Sequence, residues 1–193
     1  MRTLALLAAL LTCNLSVSSS SNEDEVRAFG DPSIRKAIDA RAHAVYDNTN
    51  KPDVQRIFLI TWDNPLSLPD AVGTEASGAF VEGGAVARVV ASVWTRHGKY
   101  SAEYYQGKNG LFLVYESFVF FENTAPRGAW HNFMGLPAWE GRTYFNEDHS
   151  VGYAEFRGKG APLPGSKGAR LNNQALRITA LIQHKLRSTK AHP

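Results

Sequence analysis

The chain has 193 residues, of which 44% are hydrophobic, 11% aromatic and 20% charged. This composition is typical of a globular protein and excludes a disordered chain, a coiled coil and a collagen-like repeat. Lysine and arginine number 21 against 18 aspartates and glutamates, which gives a formal net charge of +3. A surplus this small does not indicate a nucleic-acid partner.

The first 19 residues have the three-part pattern of a secretory signal peptide. A short positive start precedes an apolar run over residues 4–12, and Val17 and Ser19 supply positions −3 and −1 of a cleavage site. The apolar run is too short to span a bilayer. We therefore expect a signal peptide over residues 1–19 and a single mature domain over 20–193, the alternative being a buried N-terminal helix.

Cys13 is the only cysteine and lies within this leader. Cleavage after it leaves a mature chain with no disulfide and no thiolate metal site. Residues 10–13 (LLTC) also resemble a bacterial lipobox, although Thr12 is a poor fit there, so contact with a membrane is expected only if Cys13 is lipidated. With the one glycosylation sequon at Asn14 inside the leader, we expect a bacterial periplasmic or secreted protein.

Apolar residues at helical spacing predict one helix near each end of the mature chain. Asp31 and Pro32 provide an N-cap followed by a proline at the first helical position, and the residues after them predict a helix over 32–46. A second helix is predicted over 169–187. Each has one apolar face, so we expect both to pack on a sheet, either together or on opposite sides.

Between the helices the hydrophobic period changes to two, which is typical of strands joined by tight turns. We therefore predict an α+β fold in which six or seven strands form an antiparallel β-meander, as a curled sheet or a partly open barrel. The predicted strands are Gln55–Trp62, Gly78–Glu82, Ala85–Thr95, Tyr100–Gln106, Leu111–Phe121, Gly141–Asn146 and Ser150–Arg157.

Two aromatic segments carry a resemblance to a group of proteins. Residues 103–117 (EYYQGKNGLFLVYES) and 141–150 (GRTYFNEDHS) resemble exported bacterial proteins of uncharacterised function, in which a similar hairpin precedes an "RxYF" strand. The resemblance covers about residues 74–157 and implies a periplasmic β-meander; no activity is carried over from it. The long segment 122–140 departs from that pattern.

A hairpin turn at Asn109-Gly110 would bring two carboxylates together. If these two residues form the hairpin loop, Glu103 lies directly opposite Glu116, with Cβ atoms about 5 Å apart. Such a pair is typical of the acid/base site of a retaining glycosidase. The alternatives are a structural ion-pair ladder, with Arg142 reaching over Glu103 or Glu116, or a solvated sheet face.

The insert at 122–140 is the preferred binding site, because a hairpin needs only two to five residues at this place and binding residues concentrate on loops. Its aromatic and basic side chains belong to types enriched at recognition surfaces. The alternative is a flap that caps one open end of the sheet. The candidate binding residues are Arg127, Trp130, His131, Phe133 and Trp139.

The sequence offers little support for other chemistry. The six histidines lack a metal-binding spacing, and no nucleophile elbow, P-loop or dinucleotide fingerprint occurs. We therefore predict neither a metal nor a cofactor.

The predicted function is a non-catalytic envelope protein that binds a protein partner, as an inhibitor or immunity protein does, or a glycan. The rival prediction is a small hydrolase of cell-wall glycan that uses Glu103 and Glu116. A third possibility is a purely structural envelope component.

Overall fold

The computed structural model describes residues 26–80, 84–121, 138–158 and 167–191 of the chain. These residues contain eight strands and two α-helices, with a short 3-10 turn before the first helix. The strands are β1 (Val26–Gly30), β2 (Arg56–Thr61), β3 (Ala71–Phe80), β4 (Val86–Thr95), β5 (Gly98–Gly107), β6 (Gly110–Phe120), β7 (Trp139–Phe145) and β8 (Val151–Gly158), and the helices are α1 (Arg35–Thr49) and α2 (Lys167–Ala191).

All eight strands form one antiparallel sheet in the order β1-β8-β7-β6-β5-β4-β3-β2. From β2 to β8 each strand pairs with the next one along the chain, while β1 pairs with β8. The edges are β1 and β2, which do not pair with each other in the described part of the chain. The predicted α+β β-meander is therefore confirmed, as one open sheet that does not close on itself within the described residues.

The strands differ from the prediction most clearly at three places. β1 was not predicted, because its five residues between a polar leader and a helix are too few to show alternation. β3 begins seven residues before the predicted strand, at Ala71, because its glycines and small side chains weaken the period-two pattern. β7 begins at Trp139 instead of Gly141. The sheet consequently has one strand more than the largest number predicted.

The two helices pack on opposite faces of this sheet, which is the second of the two predicted arrangements. Asp31 caps the first helical turn, since its carboxylate accepts a hydrogen bond from the Ser33 amide at 2.8 Å. Within the described ranges, neither helix has an apolar stretch long enough to cross a membrane. The α1 face of the core contains Ile34, Ile38, Ala42, Val45, Tyr105, Phe112, Leu113, Tyr144 and Tyr153, and the α2 face includes Ala76, Val89, Val93, Tyr104, Val114, Phe156, Leu171, Ala175, Ile178 and Ile182.

The β5–β6 hairpin has a different register from the predicted one. Its two-residue turn is Lys108-Asn109, with Gly107 opposite Gly110, and a β-bulge then places Tyr105 opposite Leu113. The bulge directs the neighbouring side chains of Phe112 and Leu113 to the same face, where both are buried. Together these two features shift the pairing by one residue from the predicted register, which moves side chains to the other face of the sheet.

A glycine on β7 gives a test of this packing. The space that a Cβ atom of Gly141 would occupy is filled by the buried ring of Phe156, its neighbour on β8. We expect G141A to lower the free energy of unfolding by about 1–3 kcal/mol, because the ring cannot move away without disturbing the core. Urea denaturation measures the change.

The matched control is G73A, on β3. A Cβ atom at Gly73 makes only ordinary contact with the ring of Trp62, at 3.5 Å. An alanine there should leave stability unchanged or raise it slightly, because it restricts the unfolded chain. Equal losses in the two variants would contradict the packing described for Gly141.

Candidate functional site

A pocket of about 360 Å³ opens on the α2 face of the sheet, beside the first turn of α2. Its volume lies within the range of small-molecule and side-chain binding pockets. Strands β5, β6 and β7 supply its aromatic walls, and the turn before β3 supplies part of its rim. We call it the α2-face pocket; it is lined by Leu68, Pro69, Asp70, Thr95, His97, Tyr100, Glu116, Phe118, Phe120, Trp139 and Arg170.

Four aromatic rings form the apolar part of the pocket. Phe118 and Trp139 lie opposite each other on β6 and β7, with ring centroids 6.5 Å apart and an interplanar angle of 9°. The ring of Tyr100 lies 6.2 Å from that of Trp139, and the ring of Phe120 lies 5.0 Å from that of Phe118. Residues two apart on a strand share a face, so the alternation of β6 places Phe118 and Phe120 on the same wall.

A buried carboxylate closes the polar end of the pocket. Glu116 is fully buried, and its Oε1 accepts hydrogen bonds from the Tyr100 hydroxyl at 2.7 Å and from Arg170 Nη2 at 2.9 Å. Burial, reinforced by the charge of Glu116, raises the pKa of Tyr100 well above its usual value. Burial alone would lower the pKa of Arg170, but attraction and hydrogen bonding to Glu116 and Tyr100 together outweigh it, and that pKa is raised.

Gln174 extends this network along α2. Its amide oxygen accepts hydrogen bonds from Arg170 at 3.2 Å and from the Tyr104 hydroxyl at 3.3 Å, while its amide nitrogen donates to the Leu66 carbonyl at 2.6 Å. The network therefore joins β5, β6, α2 and the turn before β3. Because Glu116 and Arg170 neutralise each other, the polar end of the pocket offers hydrogen bonds rather than a strong net charge.

Of the predicted binding residues, Trp139 is the one that the structure describes. It lies in strand β7 instead of the loop, it is 8% exposed, and it lines the α2-face pocket. Arg127, Trp130, His131 and Phe133 lie outside the described residues. The described residues that flank the segment 122–137 in the chain are Phe121 and Ala138, each directly next to a wall residue of the pocket, Phe120 and Trp139.

The predicted pairing of Glu103 with Glu116 is wrong. Glu103 lies opposite Tyr115, and Glu116 lies opposite Ala102, because the earlier turn and the bulge shift the register by one residue. The two carboxylates consequently point to opposite faces of the sheet. They do not form a shared acid/base site.

The predicted ion-pair ladder with Arg142 is also wrong. On the α1 face, Glu103 accepts hydrogen bonds from Arg88 at 2.9 Å and from the Tyr105 hydroxyl at 2.8 Å. Arg142 lies opposite Tyr115 and pairs with Glu155 at 3.7 Å. Each of the two predicted glutamates therefore has its own arginine, Arg88 for Glu103 and Arg170 for Glu116.

A second cavity, of about 350 Å³, lies on the α1 face and is lined mainly by charged side chains. Two of its three arginines, Arg35 and Arg142, pair with the same carboxylate, Glu155, at 2.9 Å and 3.7 Å. Within the described residues, no three metal-ligating side chains lie close enough together to hold a metal ion. The α2-face pocket is the better candidate, because it combines apolar walls with a few polar groups.

Sequence reasoning did not identify Tyr100, Phe118, Phe120 or Arg170 as site residues. The alternation of β6 was a usable signal for Phe118 and Phe120. Their convergence with Arg170 depends on how α2 crosses the sheet, and a pattern within one strand carries no information about that crossing.

Comparison with known proteins found no relative: the chain matches no family model, no curated protein and no solved structure.

The Glu116–Arg170 pair predicts a large effect on stability. In R170M the buried carboxylate loses its cationic partner, and we expect the free energy of unfolding to fall by about 2–4 kcal/mol, less than for a fully buried pair because Arg170 is partly exposed. The control R35M removes the partly exposed pair with Glu155 and should cost about 1 kcal/mol or less. Losses of equal size would show that Glu116 does not depend on Arg170.

The tyrosines predict a loss of stability in alkali. Burial, together with hydrogen bonding to Glu140 and Asp39 respectively, raises the pKa of Tyr115 and of Tyr144 to about 12. In the unfolded chain these phenols lose their protons near pH 10, so between about pH 10 and 12 the unfolded state binds fewer protons and stability falls as pH rises.

Urea titrations at intervals from about pH 9 to 12 measure this dependence. The slope should be shallower in Y144F and shallower still in the double variant Y115F/Y144F, whatever their stability at neutral pH. A slope that is identical in all three proteins would contradict the assignment.

Proposed function

We propose that this protein is an exported, non-catalytic envelope protein that binds a protein partner through the α2-face pocket and the adjoining segment 122–137. The observation that carries the proposal is the group of four aromatic rings around a cavity, at the place where the long insert joins the sheet. Aromatic side chains at the centre of a pocket are typical anchors of protein recognition.

The chemistry of the pocket favours binding over hydrolysis. Glu116 is held by Tyr100 and Arg170, and Glu103 lies on the other face of the sheet. A retaining glycosidase needs two carboxyl groups about 5 Å apart on one site, and an inverting enzyme needs them about 6.5–9.5 Å apart around a water molecule. The rival hydrolase that uses both glutamates therefore loses its structural basis.

The lining favours an apolar side chain of a protein over a sugar. Sugar rings stack on aromatic faces but also require polar groups around their hydroxyls, and here Glu116 and Arg170 are engaged with each other. A leucine or aromatic side chain needs only the apolar walls of Tyr100, Phe118 and Trp139. A glycan remains the second candidate because the same rings can stack on a sugar.

Export is part of this proposal and rests on the leader. Residues 1–19 have the pattern of a cleaved signal peptide, and the alternative lipobox ends at Cys13. In either case the folded domain is placed outside the cytoplasm, where an inhibitor or immunity protein meets an exported partner. The resemblance of the aromatic hairpin to exported bacterial proteins agrees with this location.

Binding of short peptides tests the proposal. Peptides with a central Phe, Leu or Trp should bind, and matched peptides with a central Ser should not. Replacing a wall residue in F120A should weaken binding about tenfold or more, since part of the apolar contact is lost. The control F29A changes an exposed phenylalanine of β1, away from the pocket, and should bind as the wild type does. Isothermal titration calorimetry measures each affinity.

Three results separate the candidates. Binding of cell-wall oligosaccharides in place of the peptides, with the same sensitivity to F120A, would support the glycan. Equal binding by wild type and F120A would place the interaction elsewhere and overturn the role of the pocket. An absence of binding to either class would contradict the proposed function.

A further inference from the structure

The edge strand β2 carries an exposed apolar stripe on the α1 face of the sheet. Phe58 and Ile60 alternate along β2 and point to the same side, and Trp62 directly follows the last strand residue, with its ring beside Gly73 of β3. Their exposed fractions are 71%, 77% and 87%. Three neighbouring side chains of this size form an apolar patch of the kind that marks interaction sites. We call these three residues the edge stripe.

The fold leaves both the stripe and the backbone edge beside it open. On this face α1 packs on Phe112 of β6 and Tyr144 of β7, which lie towards the opposite edge strand. Its last residue, Thr49, accepts a hydrogen bond from Arg56 of β2 at 2.6 Å, and the ring of Trp62 lies beside Gly73 of β3. Among the described strands none pairs with the outer edge of β2. The unused amide and carbonyl groups of that edge are therefore available to another strand.

β2 also lacks the features that usually protect an edge. Residues 56–62 contain no proline and no lysine, and their pairing with β3 is regular, without a bulge. The single charge in the stretch is Arg56, at its beginning. The opposite edge, β1, is shorter and ends at Gly30. The residues of β2 therefore show no protection against pairing with another strand edge.

We propose that the edge stripe is an interface with a second copy of this chain, in which the two β2 strands pair antiparallel about a twofold axis perpendicular to the sheet. With Leu59 opposite Leu59 of the second copy, Phe58 lies opposite the second Ile60 on the same face. Aromatic side chains paired with β-branched ones are favourable cross-strand neighbours. In the same register the Arg56 guanidinium stays bonded within its own chain, where it donates to the Thr49 and Lys51 carbonyls at 2.6 Å and 3.2 Å.

The size of this contact sets its strength. Pairing in the plane of the sheet covers the backbone edges and only the flanks of the two edge stripes, so the total buried area is at most roughly 1,000 Å², the lower limit of specific protein interfaces. A second copy fits better than an unrelated extended peptide because the strand is self-complementary in this register. The dimer is consequently weak, with a dissociation constant in roughly the micromolar range, and it forms as concentration rises.

Sedimentation equilibrium of the full chain, from about 1 µM to about 1 mM, tests the interface. The wild type should pass from monomer to dimer, and I60K should raise the dissociation constant at least about tenfold, because a lysine then faces the second Phe58. The control L176K places the same charge at an exposed leucine of α2, and it should dimerise as the wild type does. A monomer at every concentration, or a dimer insensitive to I60K, would overturn the proposal.

Disulfide trapping tests the register independently of I60K. F58C and I60C chains, each also carrying C13S, are mixed and oxidised. Opposite residues of an antiparallel pair have Cα atoms about 4.5–5.5 Å apart, which suits a disulfide. The mixed dimer should form in preference to either self-linked dimer, and the reverse preference would overturn the register. Since the α2-face pocket lies on the other face, F120A should not change either result.

Discussion

The architecture depends on a charge that is buried where helix and sheet meet. Glu116 has no exposed surface, and a carboxylate in that position costs several kcal/mol unless it is compensated. Arg170, in the first turn of α2, supplies the compensating charge from a different part of the chain. Because one guanidinium must reach one point on β6, the start of α2 has little freedom to move along the sheet. The pocket exists beside that contact, between the strand ends and the helix that the ion pair holds there.

The features that could be predicted from the sequence are those set by residues close together in the chain. The apolar spacing of Leu171, Ala175 and Ile178 is local, and it predicted α2 correctly; the alternation of β4 to β6 did the same for the meander. The predicted register of the β5–β6 hairpin was wrong because the Asn109-Gly110 pair only favours one type of turn and does not determine it. The burial of both Phe112 and Leu113 on the α1 face favours a different turn followed by a bulge. This register therefore depends on packing against α1, which lies about 70 residues earlier in the chain.

The same one-residue shift explains why the candidate site differs from the predicted one. Side-chain direction in a strand has a period of two, so the shift separated Glu103 from Glu116 and gave each face its own ion pair. Trp139 was predicted as a binding residue of the 122–140 loop, whereas the structure places it at the start of β7, where it lines the pocket; its role in binding stays a prediction. Its companions Tyr100 and Phe118 come from strands up to 39 positions away, and only the pairing of β5, β6 and β7 brings them together.

The sheet separates two kinds of contact by its faces. On the α2 face, aromatic rings are recessed around a pocket whose polar end is occupied by Glu116 and Arg170, which suits one inserted side chain. On the α1 face, the edge stripe is exposed beside unused backbone groups, which suits a flat contact along a strand. A dimer joined through β2 would extend the sheet in its own plane and leave both pockets open. Binding of a partner and self-association can therefore occur together, and each copy would present its pocket on the same side of the combined sheet.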